Sequence, residues 1–81
     1  MPYDNIKPIS ELQYNIMIYV DQWTHKQDNP ISQKSIIQEM EKQGRKKYTV
    51  INAINRLLVK GYLRRGIVRS NSSYYVQTRR V

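Results

Sequence analysis

The chain has 81 residues, no cysteine and a formal net charge of +8. A chain of this length folds as one domain with a small core, and the lack of thiols excludes disulfide bonds and thiolate metal sites. No stretch approaches the roughly 18 apolar residues of a membrane span, and the first ten residues lack the basic-then-apolar order of a secretory signal. We therefore expect a cytoplasmic protein without a membrane partner.

The charge is separated along the chain. All six acidic residues lie in residues 1–41 with three lysines, which gives this part a formal charge of −3. Residues 42–81 hold eleven Lys and Arg and no acid, a formal charge of +11. A segment this basic favours a polyanionic partner, and the complete separation argues against the alternative of a basic composition that only aids solubility.

The first helix is predicted over about residues 11–25, after a loose N-terminal lead of residues 1–9. Ser10 is placed as its N-cap and Glu11 lies in its first turn, beside the positive helix end. The sequence "KQDNP" ends it, because Pro30 disfavours helix at the residue before it. The domain spans residues 10–81, and the inward residues of this helix are Leu12, Ile16, Tyr19, Val20 and Trp23.

Two further helices follow a short extended segment at Ile31. Ser32 is the predicted N-cap of the second helix, which Gly44 ends in the left-handed conformation. The third helix is predicted from about Tyr48 to Lys60, and Gly61 stops it. The inward residues of these two helices are Ile36, Ile37 and Met40, then Val50, Ile51, Ile54, Leu57 and Leu58.

The C-terminal part has β composition. Residues 62–65 form a first extended piece, and residues 67–69 and 74–78 are two β-rich arms separated by a Ser/Asn turn sequence. The chain is therefore expected to be an α+β fold with three helices, a short strand before the second helix and a C-terminal β-hairpin.

Three segments resemble one known pattern. "NPISQKSIIQEM", "YTVINAINRLLVKGYLRR" and "IVRSNSSYYVQT" resemble the winged helix-turn-helix superfamily of DNA-binding domains, close to small repressors of the MarR, LexA and BlaI kind, over about residues 10–78. The resemblance implies that residues 48–60 are a recognition helix and residues 67–76 a wing. The wing tip is Ser-Asn-Ser-Ser, which departs from the commoner Gly-Arg tip.

The outer face of the third helix carries Asn, Arg and Thr, which are side-chain types that can contact base edges. It has no acid, and its two asparagines are poor helix formers. In a major groove Asn pairs with adenine, Arg pairs with guanine, and Thr meets a thymine methyl or a phosphate. An ordinary polar helix surface is the alternative. The expected base-contacting residues are Tyr48, Thr49, Asn52, Asn55 and Arg56.

Basic residues flank this helix on both sides, where the phosphates of a duplex would lie. Arg69 and Asn71 of the wing are expected at a minor groove. A solvated basic loop is the alternative for residues 45–47. The expected backbone contacts are Arg45, Lys46, Lys47, Lys60, Arg64 and Arg65.

The remaining chemistry-bearing residues do not favour an enzyme. His25 has no partner for a metal site or a catalytic triad, and Glu39 and Glu41 point to different sides of their helix. We expect no metal, no cofactor and no catalytic activity. The aromatic and Met side chains expected in the core, rather than on a surface that stacks bases, are Trp23, Tyr19, Tyr62, Tyr74 and Met40.

The first helix carries a second apolar side formed by Tyr14, Met17 and Ile18. Either Tyr3, Ile6 and Ile9 fold back over it, or a second copy of the chain covers it. We favour a homodimer, because two half-sites multiply affinity and specificity in small DNA-binding proteins.

These patterns together predict sequence-specific binding of double-stranded DNA, most simply by a small transcriptional repressor. The alternative is a non-catalytic interaction module, or a replication-origin-binding module, of a larger assembly.

Overall fold

The computed structural model describes residues 9–27, 30–66 and 73–80 of the chain. These residues form three helices and a three-stranded antiparallel sheet, which confirms the α+β class. No helix among them is long and apolar enough to cross a membrane. In chain order the elements are α1 (Glu11–Gln27), β1 (Ile31–Ser32), α2 (Gln33–Lys42), α3 (Lys47–Val59), β2 (Leu63–Arg65) and β3 (Tyr74–Gln77).

Two helices begin at the predicted serine caps. The Ser10 hydroxyl accepts a hydrogen bond from the Gln13 amide at 3.2 Å, and the Ser32 hydroxyl accepts one from the Ser35 amide at 3.1 Å. Each bond satisfies one of the amides that the first turn of a helix leaves without a partner. The third helix begins at Lys47, one residue before the predicted start, and has no side-chain cap.

The last two helices end at glycines in the left-handed conformation, as predicted. Gly44 has φ 86° and Gly61 has φ 82°. After α3 the Tyr62 amide donates to the Leu57 carbonyl at 3.0 Å, and after α2 the Arg45 amide donates to the Met40 carbonyl at 3.1 Å. These bonds close the helix ends and turn the chain sharply, so that β2 follows α3 directly.

The sheet has the order β1-β3-β2. Strand β3 lies in the middle and pairs antiparallel on both sides: Ile31 is opposite Tyr75, and Leu63 is opposite Gln77. One of its two neighbours, β2, is the first extended piece of the sequence analysis, whose predicted range began at residue 62. The predicted arm at residues 67–69 lies outside the described residues.

The prediction that Tyr74 lies in the core is wrong. Tyr75 is the buried tyrosine of β3, with 1% of its surface exposed, whereas Tyr74 is half-buried. Neighbouring residues of a strand point to opposite faces, so the register with Ile31 decides which tyrosine faces the helices. The sequence "YY" contains no local signal for that choice.

The core lies between the three helices and the inner face of the sheet. The predicted inward aliphatic residues of α1, α2 and α3 are buried there, except that Ile51 and Leu58 are half-buried at its edge. Ile9 belongs to it as well, with 7% of its surface exposed, so the packed part of the chain begins within the predicted lead. The buried apolar residues are Ile9, Leu12, Ile16, Met17, Val20, Ile31, Ile36, Ile37, Met40, Val50, Ala53, Ile54, Leu57, Tyr62, Leu63 and Tyr75.

The second apolar side predicted for α1 is smaller than expected. Met17 has 0% of its surface exposed and belongs to the core, so its prediction as an interface residue is wrong. Helix α1 contacts both other helices and the strands β1 and β3, so its packed side is wider than the single stripe predicted from the sequence and includes Met17. Tyr14 is half-buried against the core, and Ile18 is half-buried between the exposed Glu11 and Gln22.

Tyr19 and Trp23 pack against the edge of the core. Their ring centroids are 6.4 Å apart with an angle of 58° between the planes. Aromatic pairs favour such a tilted arrangement. Burial raises the pKa of the Tyr19 hydroxyl, and the Glu39 carboxylate raises that pKa further. Both causes disfavour the ionised phenolate.

Candidate nucleic-acid interface

Helix α3 separates its apolar and polar residues onto two faces. Val50, Ala53, Ile54 and Leu57 are buried against the other elements. The residues between them are exposed, apart from the half-buried Ile51, so α3 presents one side to solvent along its length. An amphipathic helix held by its apolar face has a fixed orientation, which gives its outer side chains fixed positions.

All five predicted base-contacting residues are exposed on this helix: Tyr48, Thr49, Asn52, Asn55 and Arg56. An open groove runs along the C-terminal two turns of the same face. It brings together the two asparagine amides and the Arg56 guanidinium, which are hydrogen-bond donors, with two amide oxygens as acceptors. The described residues that line the groove are Asn52, Asn55, Arg56, Val59 and Lys60.

The cluster Arg45, Lys46 and Lys47 is divided by the structure. Arg45 turns toward α1, where its Nη2 lies 3.8 Å from Oε1 of Glu11. Lys46 and Lys47 are exposed at the start of α3. An ion pair at the surface contributes little, so Arg45 can exchange Glu11 for another anion at small cost.

A second groove runs along one side of α2 and reaches the start of α3, and the sequence patterns did not point to it. Lys34 of α2 and Lys47 of α3 lie on the same groove, together with the Gln33 amide. Lys34 falls in the acidic part of the chain, so the charge separation along the sequence conceals it. Its position two residues after the Ser32 cap is the signal that could have identified it. The lining residues are Gln33, Lys34, Ile37, Gln38, Glu41 and Lys47.

Lys60 at the end of α3 is held by a side chain that the sequence patterns did not single out. Its Nζ donates to Oε1 of Gln13 at 3.0 Å, and Gln13 is buried on α1. The same Gln13 oxygen is 3.4 Å from the Ser10 amide. Lys60 therefore contributes to the contact between α1 and α3 in addition to lying beside the groove.

Arg64 and Arg65 are exposed on β2, as expected for backbone contacts, but they do not point the same way. Successive side chains of a strand alternate between the faces of the sheet, and Leu63 of this strand is buried. Arg65 shares the face of Leu63 and lies opposite Tyr75, whereas Arg64 lies opposite Val76 on the other face. Because the two arginines lie on opposite faces of the sheet, one bound duplex would contact one of them more closely than the other.

The predicted wing residues Arg69 and Asn71 lie outside the described residues. Backbone hydrogen bonds hold the chain on either side of residues 67–72: the Gly66 amide donates to the Tyr74 carbonyl at 2.8 Å, and the Gln33 amide donates to the Ser73 carbonyl at 2.9 Å. The second bond places the start of β3 next to the start of α2, and so next to the groove that holds Lys34.

The C-terminal arginines contact the domain on the side of α1 and β2. The guanidinium of Arg79 lies over the Tyr62 ring, 4.8 Å from its centroid. Arg80 donates to Nε2 of His25 at 3.2 Å, and Nδ1 of His25 lies 2.9 Å from the Asp21 carbonyl oxygen. These partners assign the His25 proton to Nδ1, which donates to that carbonyl. His25 thus has partners in the fold, and no metal-binding group of three His, Asp or Glu occurs among the described residues.

Comparisons with protein-family models, with curated protein sequences and with solved structures found no significant match to this chain.

Proposed function

We propose that this protein binds double-stranded DNA in a sequence-specific manner, with α3 in the major groove, and that it acts as a small transcriptional regulator of the winged helix-turn-helix type. The order of its elements supports this proposal: two helices are joined by a short turn at Gly44, and a sheet follows the second of them. Helix α3 has 13 residues and an exposed outer side. An α-helix with such a side has the width that a major groove accepts.

The observation that carries the proposal is the chemistry of the exposed face of α3. Asn52, Asn55 and Arg56 line one groove, and the helix has no acidic residue. Amide and guanidinium groups match the donor and acceptor patterns of adenine and guanine edges. A helix surface that served solubility alone would be expected to include Glu beside its basic residues.

Exposed cations at both ends of α3 provide the positions for phosphate contacts. Lys46 precedes the helix, Lys47 is its first residue, and Lys34 lines the same groove as Lys47. Phosphates border the major groove on both sides, so cations placed this way fix the register of a recognition helix without selecting a sequence. Arg64 extends the proposed contact to the side of the sheet, and residues 67–76 are the proposed wing.

Pairing of two copies through the outer side of α1 is part of the proposal. It rests on the half-buried apolar side chains of Tyr14 and Ile18, since Met17 is in the core. A symmetric pair would place two copies of α3 in successive major grooves, about one helical turn apart. The preferred DNA would then be an imperfect inverted repeat.

The test is selection of preferred sites from a random pool of duplexes, followed by affinity measurements on the selected site and a scrambled one. Asn52→Ala should weaken binding to the selected site by about 1 to 3 kcal/mol and change binding to the scrambled duplex little. Lys46→Ala is the matched control, because both residues are exposed and Lys46 should contribute equally to every sequence.

Two results would contradict this function. A pool that yields no preferred site, with affinity for all duplexes abolished by moderate salt, would favour the alternative of an interaction module. Equal losses on selected and scrambled duplex for Asn52→Ala and Lys46→Ala would show that α3 does not contact bases.

A further inference from the structure

Two large apolar side chains are exposed on α3. Tyr48 has 79% of its surface exposed and Val59 has 88%, and they are the two exposed large hydrophobic residues among the described part of the chain. Isolated exposed apolar residues are common on protein surfaces and need no explanation. These two occur on the same face of the same helix, which is the face proposed to contact DNA.

Their spacing puts them on one line along the helix. Val59 comes eleven positions after Tyr48, which is about three turns and a rise of roughly 16 Å. Asn52 and Asn55 lie between them on that line, and the groove beside Val59 is lined by the same two amides and by Arg56. The exposed face therefore has an apolar side chain at each end and polar groups at its centre.

This order is the reverse of a protein-binding patch. Protein interfaces place apolar side chains together at the centre, where water is excluded, and polar groups at the rim. On α3 the amides occupy the centre, and the two apolar groups are too far apart to share one apolar pocket. A partner that matches this face must therefore also present separate apolar groups, each surrounded by hydrogen-bonding groups.

The edge of a base pair in the major groove has that property. Thymine presents an apolar C5-methyl group there, next to its O4 acceptor and beside the N6 and N7 groups of its adenine partner. An apolar side chain that contacts this methyl group discriminates thymine from cytosine, which has none. The neighbouring asparagines are matched to the adenines of A·T pairs.

We propose that Tyr48 and Val59 contact thymine methyl groups at the two ends of the segment that α3 recognises. This inference rests on the proposed function and adds the base content of the target. The groove winds around the duplex while rising about 3.4 Å per base pair, so a rise of roughly 16 Å along the helix places the two thymines roughly three to five base pairs apart.

The test uses the duplex obtained by selection, with each thymine replaced in turn by deoxyuridine, which lacks only the methyl group. Fluorescence anisotropy at constant salt gives the affinity of each duplex. The wild-type protein should lose about fourfold in affinity at two positions, the factor expected for one buried methyl group, and little at the others.

The two variants Val59→Ala and Tyr48→Ala serve as controls for each other. Val59→Ala should bind thymine and uracil duplexes equally at one of the two positions and keep its sensitivity at the other, and Tyr48→Ala should do the converse. Both side chains are exposed, so circular dichroism and thermal unfolding should show that each variant keeps the fold.

The outcomes separate this inference from the function on which it rests. If wild-type protein prefers the selected site but binds all uracil duplexes as tightly as thymine ones, methyl recognition is refuted and DNA recognition stands. A uracil effect that persists in both variants would assign the methyl contact to another residue and also refute the inference. If no site is selected, the proposed function itself fails.

Discussion

Met17 and Ile18 show how far apart two adjacent residues can be in their energetic roles. Met17 is fully buried in the core, whereas Ile18 is half-buried. A buried Met loses dispersion contacts and leaves a cavity when it is shortened. A half-exposed Ile loses much less, unless a second copy of the chain covers it.

We expect Met17→Ala to lower the free energy of unfolding by about 2 to 5 kcal/mol. Ile18→Ala should lower it by no more than about 1 kcal/mol in dilute solution, where a dimer would dissociate. Urea unfolding followed by circular dichroism measures both values. Equal losses for the two variants would place Ile18 in the core, contrary to its position in the structure.

A different substitution at Ile18 tests the proposed dimer. Ile18→Glu adds a charge to the outer side of α1 and should give a folded monomer, because only the proposed seam would bury that charge. Sedimentation at tens of micromolar should show a dimer for the wild-type chain. A wild-type monomer at that concentration would rule out pairing through α1 and would leave DNA binding by single copies possible.

At the scale of elements, the turn from α3 into β2 sets the relation between the helix and the sheet. Gly61 has φ 82°, and a Cβ placed on it would meet no atom within 4 Å. A substitution at Gly61 therefore costs only backbone strain, which is about 1 to 2 kcal/mol for an L-residue in the left-handed region. The end of β3 also holds this turn, because the Thr78 hydroxyl donates to the Gly61 carbonyl at 2.6 Å and the Thr78 amide donates to the Tyr62 carbonyl at 2.9 Å.

Gly61→Ala should lower the free energy of unfolding by about 1 to 2 kcal/mol and leave DNA affinity nearly unchanged. Gly66→Ala is the matched control, because Gly66 does not have a positive φ and its added Cβ would lie at ordinary contact distance, 3.4 Å from Cγ2 of Val76. Denaturant unfolding compares the two. A larger loss for Gly66→Ala would show that packing around Pro30 and Val76 is tighter than the backbone strain at Gly61.

At the scale of the whole molecule, the separated charges determine how binding should respond to salt. Residues 42–81 hold a formal charge of +11 and supply α3 and the sheet strands β2 and β3. The acids all precede this part of the chain, and four of the six lie on α1 or α2. A duplex held by α3 thus faces the basic part of the molecule, and binding should release cations condensed on the DNA.

Neutralisation of about six phosphates per copy should give log K against log[salt] a slope of about −5 to −6. Titrations of one duplex at several salt concentrations measure this slope. Lys34→Ala and Lys47→Ala should each reduce it by about 1 if both lysines contact phosphates. An affinity that hardly changes with salt would contradict nucleic-acid binding altogether.

The sequence by itself determined the local features of this protein. The caps Ser10 and Ser32 and the stops Gly44 and Gly61 are all found at the predicted positions. Capping and left-handed turns depend on a few adjacent residues, which is why local patterns predict them. The apolar face of α3 follows from its helical period in the same way. The same period puts the polar residues of α3 on its opposite face, which is exposed.

Tertiary structure decided everything that depends on the placement of one element against another. It chose Tyr75 over Tyr74 for the core, buried Met17, paired Leu63–Arg65 with β3, and brought Lys34 to the groove that holds Lys47. Strand register and helix packing join residues that are far apart in the chain, so no local pattern specifies them. The free energy that fixes them comes from burying the core as a whole.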